Sequence, residues 1–81
     1  MGVDTVIQQM KDLADEDSVP SNVADMIREA AEELNKQDKD LSVRVNTASS
    51  ILDQVSNDPN IRQHTRTEIW NLASRTENLS N

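Results

Sequence analysis

Between Asp40 and Asn57 the apolar residues Leu41, Val45, Ala48, Leu52 and Val55 follow one another at steps of four, three, four and three. That spacing lays side chains on one stripe of an α-helix. With Ile51 added, the set fills an arc of about 120° on a wheel of about 100° per residue. The pattern is the strongest in the chain and predicts a central helix over 40–56. Two residues depart from it. Val43 points outward, and Arg44 falls inside the apolar arc, in the first turn, where its stem can cover the end of a core while its head stays in water. Thr47, Ala48, Ser49 and Ser50 are small, which allows a neighbouring helix to come close.

Three further stripes accompany it. Val3, Val6, Ile7, Met10 and Leu13 predict a helix over 3–14, with Asp4 in its first turn, where the positive end of the helix dipole favours an acid. Val23, Ile27, Ala30, Ala31 and Leu34, with Met26 on the edge, predict a second over 20–35. Pro20 fits its first turn, and Ser18, Ser21 or Asn22 fits its cap. On its other side Arg28 and Glu32 form an i, i+4 pair worth about 0.2–0.5 kcal/mol. The polar run 35–40 is a connection in which Asp38 or Asp40 caps the central helix. A last helix is predicted over 60–79, opened by Asp58 as cap and Pro59 in the first turn. Ile61, Thr65, Ile69, Leu72, Ala73, Thr76 and Leu79 share its inward arc, and Trp70 lies about 60° outside it.

Short polar connections make successive helices antiparallel neighbours. The expected fold is therefore all-α, a single antiparallel four-helix bundle forming one domain over 1–81. A weak internal repeat, which lays Leu13 to Leu34 on Val55 to Thr76, keeps an alternative open: two stacked helical hairpins of HEAT type. Composition agrees with an all-α reading. The chain has one Gly, two Pro and one Trp, with no Phe, Tyr or Cys. Turn-forming residues are too few for a sheet protein, and disulfides, thiolate metal sites and a cysteine nucleophile are excluded. At 81 residues the core holds by packing alone or with help from self-association.

The net charge of −7 is unevenly placed: residues 1–40 hold eleven acids against four bases, and residues 41–81 hold four against four. Phosphate backbones are repelled by the first half, so nucleic acid is disfavoured as a partner. No apolar run reaches the 18 or so residues of a membrane span, and the opening MGVDTVIQQM lacks the basic start and apolar centre of a signal peptide and the residue pattern for myristoylation. The expectation is a cytoplasmic protein with no membrane attachment.

Candidate chemistry is sparse. His64 is the single histidine; acid–base work needs a partner and a pocket, and its place off the apolar arc, one turn from Glu68, reads instead as a surface or capping position. There is no second histidine for a metal pair and no zinc, calcium or phosphate-loop motif, so neither cofactor nor enzymatic activity is expected. Arg62 and Arg66 stand one turn apart at the positive end of the last helix. In an up-and-down bundle they meet the acidic run Asp15, Glu16 and Asp17, which predicts an exposed ion-pair cluster worth at most about 1 kcal/mol per pair. Trp70, with Arg66 four residues before it and Glu77 seven after, has the arrangement of a partner's edge. With Val43 it is the leading contact candidate. Trp70, Arg66, Arg62, His64 and Val43 together are the candidate partner-contact residues. They point to a non-enzymatic protein-interaction or structural module, alone or as a homodimer. The alternative is an RNA- or ribosome-associated accessory protein using Arg44, Arg62, Arg66 and His64.

Particular groups of residues carry a resemblance that covers nearly the whole chain. They are Ser18-Val19-Pro20 with Asn22, Val43-Arg44, Ile51-Leu52-Asp53, Asn57-Asp58-Pro59-Asn60, and His64-Thr65-Arg66-Thr67 followed by Ile69-Trp70. In these the chain resembles uncharacterised protein family number one hundred and forty-seven, a group of small archaeal proteins. The resemblance implies an all-helical fold and an archaeal cytosolic setting, and it supplies no activity. Members of that family tend to be basic around Ser21, Ala24 and Asp25 and to have proline where Arg62 stands; this chain departs at both places.

Overall fold

The structure is a computed structural model that describes residues 2–80. It contains four helices, α1 (Val3–Ala14), α2 (Ser21–Leu34), α3 (Leu41–Ser56) and α4 (Gln63–Asn78). No strand occurs among the described residues. Each helix packs on the next in sequence, and α1 closes the ring against α4 through the slightest of the four contacts. Among the described residues α1 does not meet α3, nor α2 meet α4, as stacking of two hairpins side by side requires. The arrangement is an antiparallel four-helix bundle, 33 × 19 × 18 Å.

The core follows the predicted stripes. Val6, Ile7, Met10 and Leu13 of α1, Val23, Ile27, Ala30, Ala31 and Leu34 of α2, Val45, Ala48, Leu52 and Val55 of α3, and Ile69, Leu72 and Ala73 of α4 belong to one buried core. Val3, Leu41, Ile51, Met26 and Leu79 lie partly buried at its margins. Thr65 and Thr76 are fully buried on the inward face of α4. The Thr76 hydroxyl donates to the Leu72 carbonyl at 2.7 Å, a bond within the helix. The Thr65 hydroxyl, and that of buried Ser49, have no hydrogen-bond partner.

The three connections, 15–20, 35–40 and 57–62, each contain six residues and follow the same course of backbone conformations. Each leaves its helix through a residue near the helical region (Asp15, Asn35, Asn57, with ψ of −7°, 3° and −2°) and enters the next through an extended one (Pro20, Asp40, Arg62, with ψ of 146°, 146° and 157°). No described residue has a positive φ, so this joint needs no glycine. That explains how a chain with one Gly turns back three times. The fifth place of the first and third joints is apolar: Val19 and Ile61 are both buried under the same end of the bundle. Asn22, in the first turn of α2, reaches the third joint by donating to the Asp58 carboxylate at 3.4 Å.

This joint corrects the expected helix starts. Helix α4 begins at Gln63 rather than at residue 60, and α2 at Ser21 with Pro20 just outside it. Asp58 and Pro59 do not open α4: the Asp58 carboxylate accepts the Asn60 N–H at 2.8 Å, a local turn that competes with helix. Burial of Ile61 then draws the chain inward before the helix can start. The expected side-chain N-caps are also absent. Asp40 holds the position ahead of α3, but neither it nor Ser18, Ser21 or Asn22 makes a cap bond.

Candidate partner-contact surface

The charged side chains near the joints are ordered by backbone carbonyls more than by one another. The last carbonyls of a helix have no partner inside it, and three arginines supply one from the helix that follows. Arg28 of α2 donates to the carbonyl of Ala14, the last residue of α1, at 3.4 Å. Arg44 of α3 donates to that of Leu34, the last of α2, at 3.2 Å. Arg66 of α4 donates through Nε to that of Ser56, the last of α3, at 2.8 Å and through Nη2 to that of Asp58 at 3.0 Å. In the last two cases the arginine stands ten residues beyond the carbonyl it caps.

The expected ion-pair cluster between Arg62, Arg66 and the run Asp15–Asp17 is therefore not the arrangement found. Arg66 is directed into the α3–α4 joint. Asp15 is paired with Arg28 at 3.0 Å, and Arg28 takes Asp25 at 3.5 Å in place of Glu32. Both pairs are exposed, which limits them to about 1 kcal/mol or less each. A third, Lys36 with Glu33, raises the Lys36 ammonium above its ordinary range, chiefly through the hydrogen bond between them. Arg44 does occupy the apolar arc as expected, half-buried, and its Nε is enclosed without a partner.

The remaining candidates are separated by the geometry. His64 and Arg62 are exposed at the start of α4. Trp70 is 51% exposed and is the eighth of the sixteen residues of α4; Val43 is 46% exposed, in the first turn of α3. They do not share a face. Arg44 turns toward α2, while Ser56, whose carbonyl receives Arg66, marks the side of α3 that meets α4. Val43 lies about 100° round α3 from Arg44 and about 120° from buried Ser49, which shares the α4 side. On α4, Trp70 lies within about 40° of Arg66 and so leans toward α3.

Two open depressions lie elsewhere. One, about 280 Å³, runs along the α1–α4 seam over Leu13 and Leu72, walled by Gln9, Asp12, Glu16, Glu68, Asn71 and Arg75, with Arg75 donating to Gln9 across it at 3.4 Å. The other, about 500 Å³, lies at the opposite end between the start of α1, Gln37 and Arg44. His64 lines neither. Among the described residues no three His, Cys, Asp or Glu side chains are placed to hold a metal ion. Sequence reasoning missed the seam depression, and also Arg28 as a capping residue. The repeated ten-residue step from helix end to arginine is the signal that would have found Arg44 and Arg66 in that role.

Fold and surface together define a small all-α bundle in which three arginines close the ends of the preceding helices. The model of the Uncharacterised protein family (UPF0147) matches residues 2–79, and the chain belongs to that family. It is 40% identical over 74 residues to a UPF0147 protein of Methanothermobacter thermautotrophicus, covering 91% of this chain and 72% of that one. To a UPF0147 protein of Methanosarcina mazei it is 38% identical, covering 90% and 78%, and to one of Archaeoglobus fulgidus 35%, covering 98% and 90%. These are archaeal proteins, and neither the family's description nor theirs names an activity. No solved structure matches the chain. No helix among the described residues is long and apolar enough to cross a membrane.

Proposed function

We propose that this chain is a non-enzymatic protein-contact module of the archaeal cytoplasm, and that its docking surface is the α3–α4 face centred on Trp70. The observation that carries the reading is the exposure of Trp70, at 51%, in the middle of a helix whose inward face is already closed by Ile69, Leu72 and Ala73. A fully buried Trp removes roughly 200 Å² from water, so leaving half of it exposed forgoes about 2–3 kcal/mol of burial. Tryptophan is the residue type most enriched where an interface is tightest, near its centre. Val43, turned away from α4, is outside this surface.

The arginines favour this reading over nucleic acid. Arg44 and Arg66, two of the four side chains an RNA surface relies on, direct guanidinium donors at backbone carbonyls. A photo-crosslinking residue in place of Trp70, in the full chain expressed in its host, tests the proposal. The expected result is a protein adduct at this position and none when the same residue replaces Glu29 on α2. Absence of an adduct at position 70 would overturn it.

A further inference from the structure

We infer that the occupant of the Trp70 surface is a second copy of this chain, with the two α4 helices crossing antiparallel about a two-fold axis near Trp70; the inference rests on Trp70 being the contact. Charge placement selects the occupant. Residues 1–40, which form α1, α2 and the two joints that follow them, carry the entire excess of −7, and residues 41–81, which include α3 and α4, balance four acids with four bases. A basic partner is steered to the α1–α2 half, away from Trp70. The α3–α4 face is where a second acidic copy meets least repulsion. On α4 the exposed residues within about 60° of Trp70 are Gln63, Thr67, Ser74 and Glu77, and on α3 the exposed residues nearest the Ser49 side include Asn46 and Asp53.

The same symmetry sets the direction of crossing. A residue near the axis of an isologous contact meets its own copy, and Trp70, at mid-helix, is placed for this. In the antiparallel crossing the residue seven after Trp70 faces the residue seven before it, which brings Glu77 of one copy to Gln63 and Arg62 of the other, twice. Arg62 and Glu77 are both exposed and take part in none of the ion pairs among the described residues. A parallel crossing sets Glu77 against Glu77 and Arg62 against Arg62, where like charges repel.

Sedimentation of the full chain from low micromolar to near millimolar concentration tests this, with fluorescence of the single Trp followed over the same range. The expected result is a monomer–dimer equilibrium and a blue shift of emission as dimer forms. R62E and E77R each weaken the dimer about tenfold, and an equimolar mixture of the two restores it, because the mixed dimer regains two opposite-charge contacts. W70S is monomeric with an unchanged helical spectrum. A chain that stays monomeric with emission independent of concentration overturns the inference, as does a mixture of R62E and E77R that associates no better than either alone. The crosslink at position 70 separates the two failures. An adduct to a different chain removes the second copy as occupant and leaves the contact surface standing, whereas no adduct removes both.

Discussion

Replacing Arg66 by Met keeps the unbranched stem and removes both bonds into the α3–α4 joint. The guanidinium donates to the Ser56 carbonyl at 2.8 Å and to that of Asp58 at 3.0 Å, and the residue is half-buried. A hydrogen bond from a charged donor contributes about 1.5–3 kcal/mol in mutational series. Two such bonds, reduced for partial solvent access, give an expected loss of about 2–3 kcal/mol. In a domain of this size that lowers Tm by roughly 10–20 °C. The acceptors are dipoles rather than charges, so the loss is nearly the same at low salt and at about 0.5 M, whereas an exposed ion pair is screened away. Lys at the same position reaches one carbonyl and recovers about half the loss. Urea and thermal unfolding of R66M and R66K, followed by circular dichroism at both salt concentrations, measure this. A loss from R66M below about 0.5 kcal/mol, or one that disappears in high salt, would refute the capping argument.

Three further outcomes are expected. Arg44 makes a single bond, to Leu34 at 3.2 Å, and holds an unpartnered Nε; R44M therefore costs less than R66M, about 1 kcal/mol or below in urea unfolding. Thr65 and Thr76 are both fully buried, but only the Thr76 hydroxyl is satisfied. T65V is expected to raise the unfolding free energy by about 1 kcal/mol, and T76V to lower it or leave it unchanged, both read from urea unfolding. A double-mutant cycle on Arg28 and Asp15, 47% and 73% exposed along their side chains, is expected to give a coupling of about 0.5 kcal/mol or less at physiological salt.

The bundle was legible because its information is periodic. Leu41 to Val55 and the three companion stripes encode which face is buried, and the core follows them. The helix starts were less legible because Ile61 falls on the inward arc of the last helix and reads as part of it, while Val19 stands alone ahead of Pro20. Each looked like part of a helix or of a polar loop, and each is in fact the plug of a joint. The arginines were misread for a different reason. Arg66 was placed at the correct end of the bundle, but a charge in a sequence invites an opposite charge, and Asp15–Asp17 supplied one. The partner it has is a pair of backbone carbonyls, which every residue carries and which composition cannot flag. Trp70 was legible as a residue off the core arc; its lean toward α3 required the position of Arg66.

The three arginine caps all point the same way along the chain. The end of α1 is closed by α2, that of α2 by α3, and that of α3 by α4, while α4 ends in backbone bonds of its own, such as Leu79 N–H to the Thr76 carbonyl at 3.1 Å. During synthesis each helix therefore waits for its successor to emerge before its last turn is closed, and the joint after α3 is the last to be secured. A nascent chain halted at the end of α3 has two finished joints and one open one. Hydrogen exchange on chains stalled at the ends of α3 and α4 should show the last turn of α3 acquiring protection only in the longer one. The order in which the bundle hardens is written in the direction its arginines reach.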